Sequence, residues 1–135
     1  MTKMKVEYLG KLRTKCKHSS GAEIETDAPI DNQGRGEAFS PTDLFAVSVG
    51  SCMLTLMNIR ANQLGIELKG MTAEVEKQMA ISPKRKIGKI VVRIQTAYSP
   101  DSLTQTKLEQ AAIDCPVHLS LHPDVKIEVD FVWGL

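Results

Sequence analysis

Two of the three cysteines occupy positions where a thiol can do chemistry. Cys52 lies in "SPTDLFAVSVGSCM", eleven residues after a helix-starting proline, and Cys115 directly precedes Pro116, 63 residues further on. A free thiol of pKa about 8.5 is only a few per cent thiolate at neutral pH. Nucleophilic attack therefore calls for a depression of about two pH units, roughly 2.7 kcal/mol. One guanidinium about 4 Å away, at an effective dielectric near 20, supplies on the order of 4 kcal/mol before desolvation is subtracted. The helix dipole does not reach Cys52, several turns from the helix start, so its activation has to come from another segment. Cys115 is placed differently, because a residue preceding a proline that opens a new helix is an N-cap, where unbonded N–H groups favour a thiolate. On physical grounds alone Cys115 is the more easily ionised of the two. The plain alternative for Cys52 is a small apolar core residue. Cys16, between two lysines that would face the opposite side of a strand, reads as structural.

A metal reading competes with the thiol reading. Cys115, His118 and His122 fall at i, i+3 and i+7, one face of a helix, and such a set can hold zinc with a fourth ligand or water. Pro123 would end that helix near His122, and no carboxylate offers itself as a catalytic base. Arg13, Arg35, Glu37 and Asp43 cluster in or near the segments leading into the Cys52 helix, where solvated surface charge is the plain alternative. Lys84, Arg85 and Lys86 form a turn and need no function beyond solubility.

The elements that position these residues are legible from periodicity. Short alternating pieces between Met4 and Asp27, separated by Gly10 and Ser19-Ser20-Gly21, predict two or three antiparallel strands. "APIDNQGRGEAF" is a turn-forming connection. It leads into a helix with Ser40 as N-cap, Pro41 at the first position, Asp43 at the third and Gly65 as its stop. Apolar residues cover that helix nearly all round, leaving a stripe of Ser48, Ser51, Thr55, Asn58 and Asn62 against which another helix or subunit could lie closely. "IELKGMTAEVEKQMAI" and "KIGKIVVRIQTAY" predict a hairpin turning at "SPKR". Ser99-Pro100-Asp101 starts a second helix, Cys115-Pro116 breaks it and begins a short third, and "VKIEVDFVW" is the last strand. Strands and helices in this order give an α+β fold with antiparallel sheets rather than repeated βαβ units.

Composition bounds the function. At 135 residues with 42% hydrophobic, residues 1–135 are expected to form a single domain. A formal charge of +1 lacks the field of a nucleic-acid binder. The N-terminal "MTKMKVEYLGKLRTK" lacks the apolar run of a signal peptide, and no stretch reads as a membrane span, so the expected compartment is the cytoplasm. Three cysteines without an export signal argue for thiols reduced at rest. No phosphate-cradling glycine motif occurs.

The pair "FSPTDLFAVSVGSCM" and "AAIDCPVHLSL", in this order and at this separation, resembles the signature of the OsmC/Ohr superfamily, the osmotically inducible and organic hydroperoxide resistance proteins. The resemblance runs over essentially the whole chain. It implies an OsmC-like fold, with antiparallel sheets around a buried central helix, in an intertwined homodimer with active sites at the subunit interface. It also implies thiol-dependent reduction of organic hydroperoxides. By position, Cys52 matches the attacking cysteine, Cys115 its resolving partner and Arg13 the activating arginine, against the N-cap argument above. In the hydroperoxide-resistance branch a glutamate follows the helix-starting proline and holds that arginine; here the residue is Thr42, and Glu37 or Asp43 is the expected substitute. The resemblance implies an external dithiol, lipoyl-type or a small-molecule thiol, as reductant; that cycle needs no cofactor or metal, and the composition above leaves no nucleic-acid or membrane partner expected. Phe39, Phe45 and methionines would line an apolar substrate pocket. The competing readings are a non-catalytic module binding a small hydrophobic ligand, the zinc site above, and a purely structural dimer.

Overall fold

Alternating side chains, punctuated by Gly10 and Ser19-Ser20-Gly21, build the first sheet from β1 (Met4–Gly10), β2 (Arg13–His18) and β3 (Glu23–Asp27), all antiparallel. The computed structural model describes residues 1–68 and 70–135, which fall into two units, Met1–Phe45 and Ala46–Leu135. In the first unit, Lys11 (φ 52°) and Leu12 (φ 62°) both adopt the left-handed conformation between β1 and β2. Two left-handed residues suit the twist of a tight hairpin, although neither is the glycine or asparagine that adopts this conformation cheaply. Pairing sets the two faces of the sheet. Val6, Cys16 and Ile24 form one cross-strand row, with Met4 and Tyr8 on the same apolar face. The opposite face carries the row Glu7, Lys15, Glu25 and sets Arg13 against Asp27. Cys16 thus points away from Lys15 and Lys17, as expected.

Residues 28–39 cross from β3 to the first helix through a single 3-10 turn at Ile30–Asn32. Gly34 is required here, because a Cβ at that position would sit 1.7 Å from the Ala28 carbonyl oxygen. Ser40 then caps α1 (Pro41–Gln63): its Oγ accepts the Asp43 N–H at 3.1 Å while the Asp43 carboxylate accepts the Ser40 N–H at 3.0 Å. This is a reciprocal capping box with aspartate in place of glutamate.

The second unit continues α1 and adds β4 (Thr72–Ala80), β5 (Lys86–Thr96), α2 (Ser102–Ile113), α3 (Pro116–Leu119) and β6 (Lys126–Trp133). Its sheet has the order β4-β5-β6. β4 and β5 form the expected hairpin, but β5 and β6 run parallel, which corrects the all-antiparallel expectation. Parallel neighbours require a crossover of a dozen or more residues, and α2 with α3 supplies it. Two boundaries also move. α2 is capped by Asp101, whose Oδ1 accepts the Thr104 N–H at 2.7 Å, leaving Ser99 and Pro100 outside the helix. β4 starts at Thr72 rather than near Ile66, and Lys69, within the expected strand, lies outside the described residues.

α1 buries one stripe, Ala46, Val49, Gly50, Met53, Met57 and Ala61, and leaves Phe45, Val47 and Ile59 exposed, so it is not buried all round in the single chain. The stripe joins Ile90, Val92 and Ile94 of β5, Leu108 and Ala112 of α2, and Cys115 in one core. By length and composition α1 is apolar enough to cross a membrane, the one such helix among the described residues, and it packs its buried stripe in the core. Gly50 sets how closely it lies on the sheet, since a Cβ there would stand 2.6 Å from Val75 Cγ2. Gly50→Leu is therefore expected to lower stability by about 1–3 kcal/mol through overpacking, measured by chemical denaturation.

Candidate active site

The crossover that makes β5 and β6 parallel also delivers Cys115 to α1. Cys115 ends α2 and caps α3, buried at 0% exposure in the cluster that contains Val49, Met53 and Met57. Cys52, one residue before Met53, is half-buried and packs against the same cluster. The two thiols lie close enough for Cys52 to act on the ionisation of Cys115, and both are free cysteines. Sequence spacing left their meeting open; the tertiary fold brings them together.

The N-cap geometry expected at Cys115 is present, with its Sγ accepting the His118 N–H at 3.3 Å. Its effect on ionisation is nevertheless outweighed. Burial pushes the Cys115 thiol above its ordinary value, and although the N–H bond from His118 opposes this, the hydrogen bond to Cys52 and the charge Cys52 can carry both add to the rise. The cap therefore does not make Cys115 an easily ionised thiol, as the sequence argument expected it to. The physical reason is that a charge withdrawn from water loses more than the N–H groups of Val117 and His118 restore.

Arg13 lies in the first unit and has a partner that sequence reading missed. Its Nε and Nη2 donate to Oδ1 and Oδ2 of Asp27 at 2.7 and 2.8 Å, a two-pronged bond between residues paired in register across β2 and β3. Asp27 Oδ2 also accepts the Glu37 N–H at 3.1 Å. The Arg13 hydrogen bonds hold the Asp27 carboxyl below the usual range against the opposing effect of burial. Glu25 and Glu37 approach the guanidinium only to 3.8 Å. Thr42 contacts Ser40 Oγ at 3.2 Å, and Asp43 caps α1 as described. A signal for Asp27 was available, because a hairpin centred on Ser20 sets positions 13 and 27 opposite each other.

The zinc set is not assembled. His118 Nδ1 donates to the Ile113 carbonyl at 2.7 Å, and His122 Nδ1 accepts the Asp124 N–H at 3.0 Å. Among the described residues no three His, Cys, Asp or Glu side chains group as a metal would require. Of the expected pocket lining, Phe39 and Phe45 are exposed, while Met53 and Met57 belong to the closed core.

Residues 34–130 match the family model of the OsmC-like proteins. The chain is 48% identical to a Psychrobacter arcticus protein provisionally named for osmotic stress induction and detoxification response, with 97% of this chain and 96% of that one covered and a TM-score of 0.92. It shares its fold with an organic hydroperoxide resistance protein from Legionella pneumophila (18% identity, 98% and 96% covered, TM-score 0.79). It does so too with an OsmC-like protein from Mycoplasma pneumoniae (17% identity, 100% and 98% covered, TM-score 0.82). No curated protein matches the chain.

Two outcomes follow from the charges described. Asp27 has a folded-state pKa below its ordinary 3.8, so its stabilising effect is complete above that value and is lost as pH falls through the folded value. The stability difference between the wild type and Asp27→Asn should therefore stay constant above about pH 5 and shrink below pH 4, as read from urea melts across that range. Cys115, raised by burial, should show an alkylation rate in the native protein that still climbs at pH values above its ordinary 9.0, followed peptide by peptide with iodoacetamide.

Proposed function

The chain belongs to the OsmC-like protein family, and on that premise we propose that it is a thiol-dependent peroxidase that reduces organic hydroperoxides in oxidative-stress defence. The observation carrying this reading is the pair of free thiols, Cys52 and Cys115, brought to one core cluster from α1 and from the α2–α3 joint, where Cys52 acts on the ionisation of Cys115. Cys52, as the thiolate, attacks the distal oxygen of the hydroperoxide. The O–O bond breaks, that oxygen stays on sulfur as a sulfenic acid, and the alkoxide departs as the alcohol after taking a proton. Sulfur thereby loses the two electrons that the peroxide gains. Cys115 then attacks the sulfenic sulfur, the S–S bond forms, and hydroxide leaves with the Cys115 proton as water. An external dithiol, lipoyl-type or a small molecule, restores both thiols by exchange and departs as its own disulfide. Two thiols and that dithiol account for every electron, so the cycle calls for no resident cofactor.

The ionisation of Cys115 suits the second step. Burial and the neighbouring charge keep it protonated while Cys52 is a thiolate. Once Cys52 becomes a neutral sulfenic acid that charge is gone, and one obstacle to deprotonating Cys115 goes with it. Arg13 is the cation we assign to favouring the Cys52 thiolate, with Glu37 near it and with Thr42 and Asp43 of the α1 cap as supporting residues. A homodimer is part of the proposal. The exposed Phe45, Val47 and Ile59 of α1 and the exposed Met4, Val6, Tyr8 and Ile24 of the first sheet support it. Thiols that must rest in the reduced form suit a cytoplasmic location.

Mass spectrometry after one equivalent of cumene hydroperoxide should find a Cys52–Cys115 linkage, and Cys115→Ser should yield a dimedone adduct on Cys52. Unchanged thiols with retained binding of a hydrophobic ligand would instead identify a binding module. Sedimentation equilibrium should give twice the mass of the chain.

A further inference from the structure

The position that bears a carboxylate in the resembled branch is Thr42 here, which directs attention to the carboxylates that actually surround Arg13 as candidates for orienting it. Glu25 and Glu37 are poor candidates. Each stays 3.8 Å from the guanidinium, beyond hydrogen-bonding distance, with 46% and 63% of its side chain exposed, where solvent weakens the attraction. Asp43 accepts the Ser40 N–H in the α1 cap. Asp27 differs on each count: its side chain is fully buried, it meets Nε and Nη2 at 2.7 and 2.8 Å, and it lies opposite Arg13 in the strand register.

We propose that Asp27 is the positioning residue of Arg13: it fixes the plane of the guanidinium through the Nε and Nη2 edge and leaves Nη1 and the second Nη2 hydrogen, which Glu25 and Glu37 approach only to 3.8 Å, without a hydrogen bond to these carboxylates and able to face an anion. The inference rests on the peroxidase reading and on the role given there to Arg13. Of the five N–H donors of Arg13, Asp27 takes two in a fork that no monodentate partner reproduces. The fork is itself anchored. Asp27 donates its N–H to the Phe39 carbonyl at 3.1 Å and accepts the Glu37 N–H on Oδ2, which ties it to the segment just before α1 at two points. The neighbouring Ala28 N–H donates to the Leu12 carbonyl at 3.1 Å and thereby holds the left-handed turn from which Arg13 emerges. The backbone and the side chain of Arg13 are therefore both fixed by consecutive residues of one strand end. Arg35 adds a favourable charge to Asp27.

The test is a double-mutant cycle read on Cys52 itself, following peptide-resolved iodoacetamide labelling from pH 5 to 10 and the rate of oxidation by cumene hydroperoxide. Arg13→Ala should move the Cys52 labelling profile to higher pH. Asp27→Asn, which leaves one acceptor oxygen and no charge, should move it the same way and slow oxidation by about 3- to 30-fold. In the Arg13→Ala background, Asp27→Asn should change neither readout further, because a positioning residue acts only through the group it positions. Asp27→Glu keeps the charge but shifts the fork by one methylene; it should fall between wild type and Asp27→Asn, and it carries the comparison if Asp27→Asn does not fold. A lowered melting temperature with an unmoved Cys52 profile in the Asp27 variants, while Arg13→Ala does move it, overturns the positioning role and leaves the peroxidase reading intact. An unmoved profile in Arg13→Ala overturns the role given to Arg13, and the inference with it.

Discussion

A carboxylate with no exposed surface stays ionised only when another charge replaces the water it has lost, and in this chain that carboxylate is Asp27 and that charge Arg13. The pairing constrains most of the first unit. It fixes the register of β2 on β3, since a slip of one residue would carry Arg13 and Asp27 to different faces and bury a lone carboxylate. Through the Glu37 N–H it also draws in the glycine-containing segment that precedes α1. Charged rows on that face and an apolar row of Val6, Cys16 and Ile24 on the other then follow from the pleat.

In the second unit the corresponding constraint is steric. Gly50 lets α1 lie close on β4 and β5, and the stripe of Ala46, Val49, Met53, Met57 and Ala61 meets Leu108 and Ala112 where α2 returns across the sheet. That return carries the chain from the end of β5 back to a parallel β6, so Cys115, at the joint of α2 and α3, arrives beside Cys52. The topology and the thiol pair are therefore one fact: a hairpin connection in place of the crossover would have no α2–α3 joint to offer.

At Cys115 a local effect and a tertiary one oppose each other. A thiol at a helix N-cap gains an N–H donor that modestly stabilises its anion, whereas complete burial removes the hydration of that anion. Lost hydration outweighs the gained donor, and the Cys115 thiol is pushed up where its place in the chain suggested the opposite. Hydration likewise separates Asp27 from the exposed Glu25 and Glu37, whose distance and contact with solvent weaken their hold on Arg13.

Elements with local causes could be read along the chain. The strands between Met4 and Asp27, the Ser40–Asp43 cap, the β4–β5 hairpin, the Cys115-Pro116 break and the alternating last strand all rest on periodicity, turn residues or caps within a few positions. The two motifs by which the family was legible are equally local. What depends on partners distant in the chain was settled by folding: the parallel pairing of β6, the one-sided burial of α1, the meeting of Cys52 with Cys115 and the dispersal of Cys115, His118 and His122. Asp27 stands between the two classes. Its register was implicit in a hairpin turning at Ser20, but its choice as the partner of Arg13, over Glu37, was set by burial, and burial belongs to the folded chain rather than to any stretch of it.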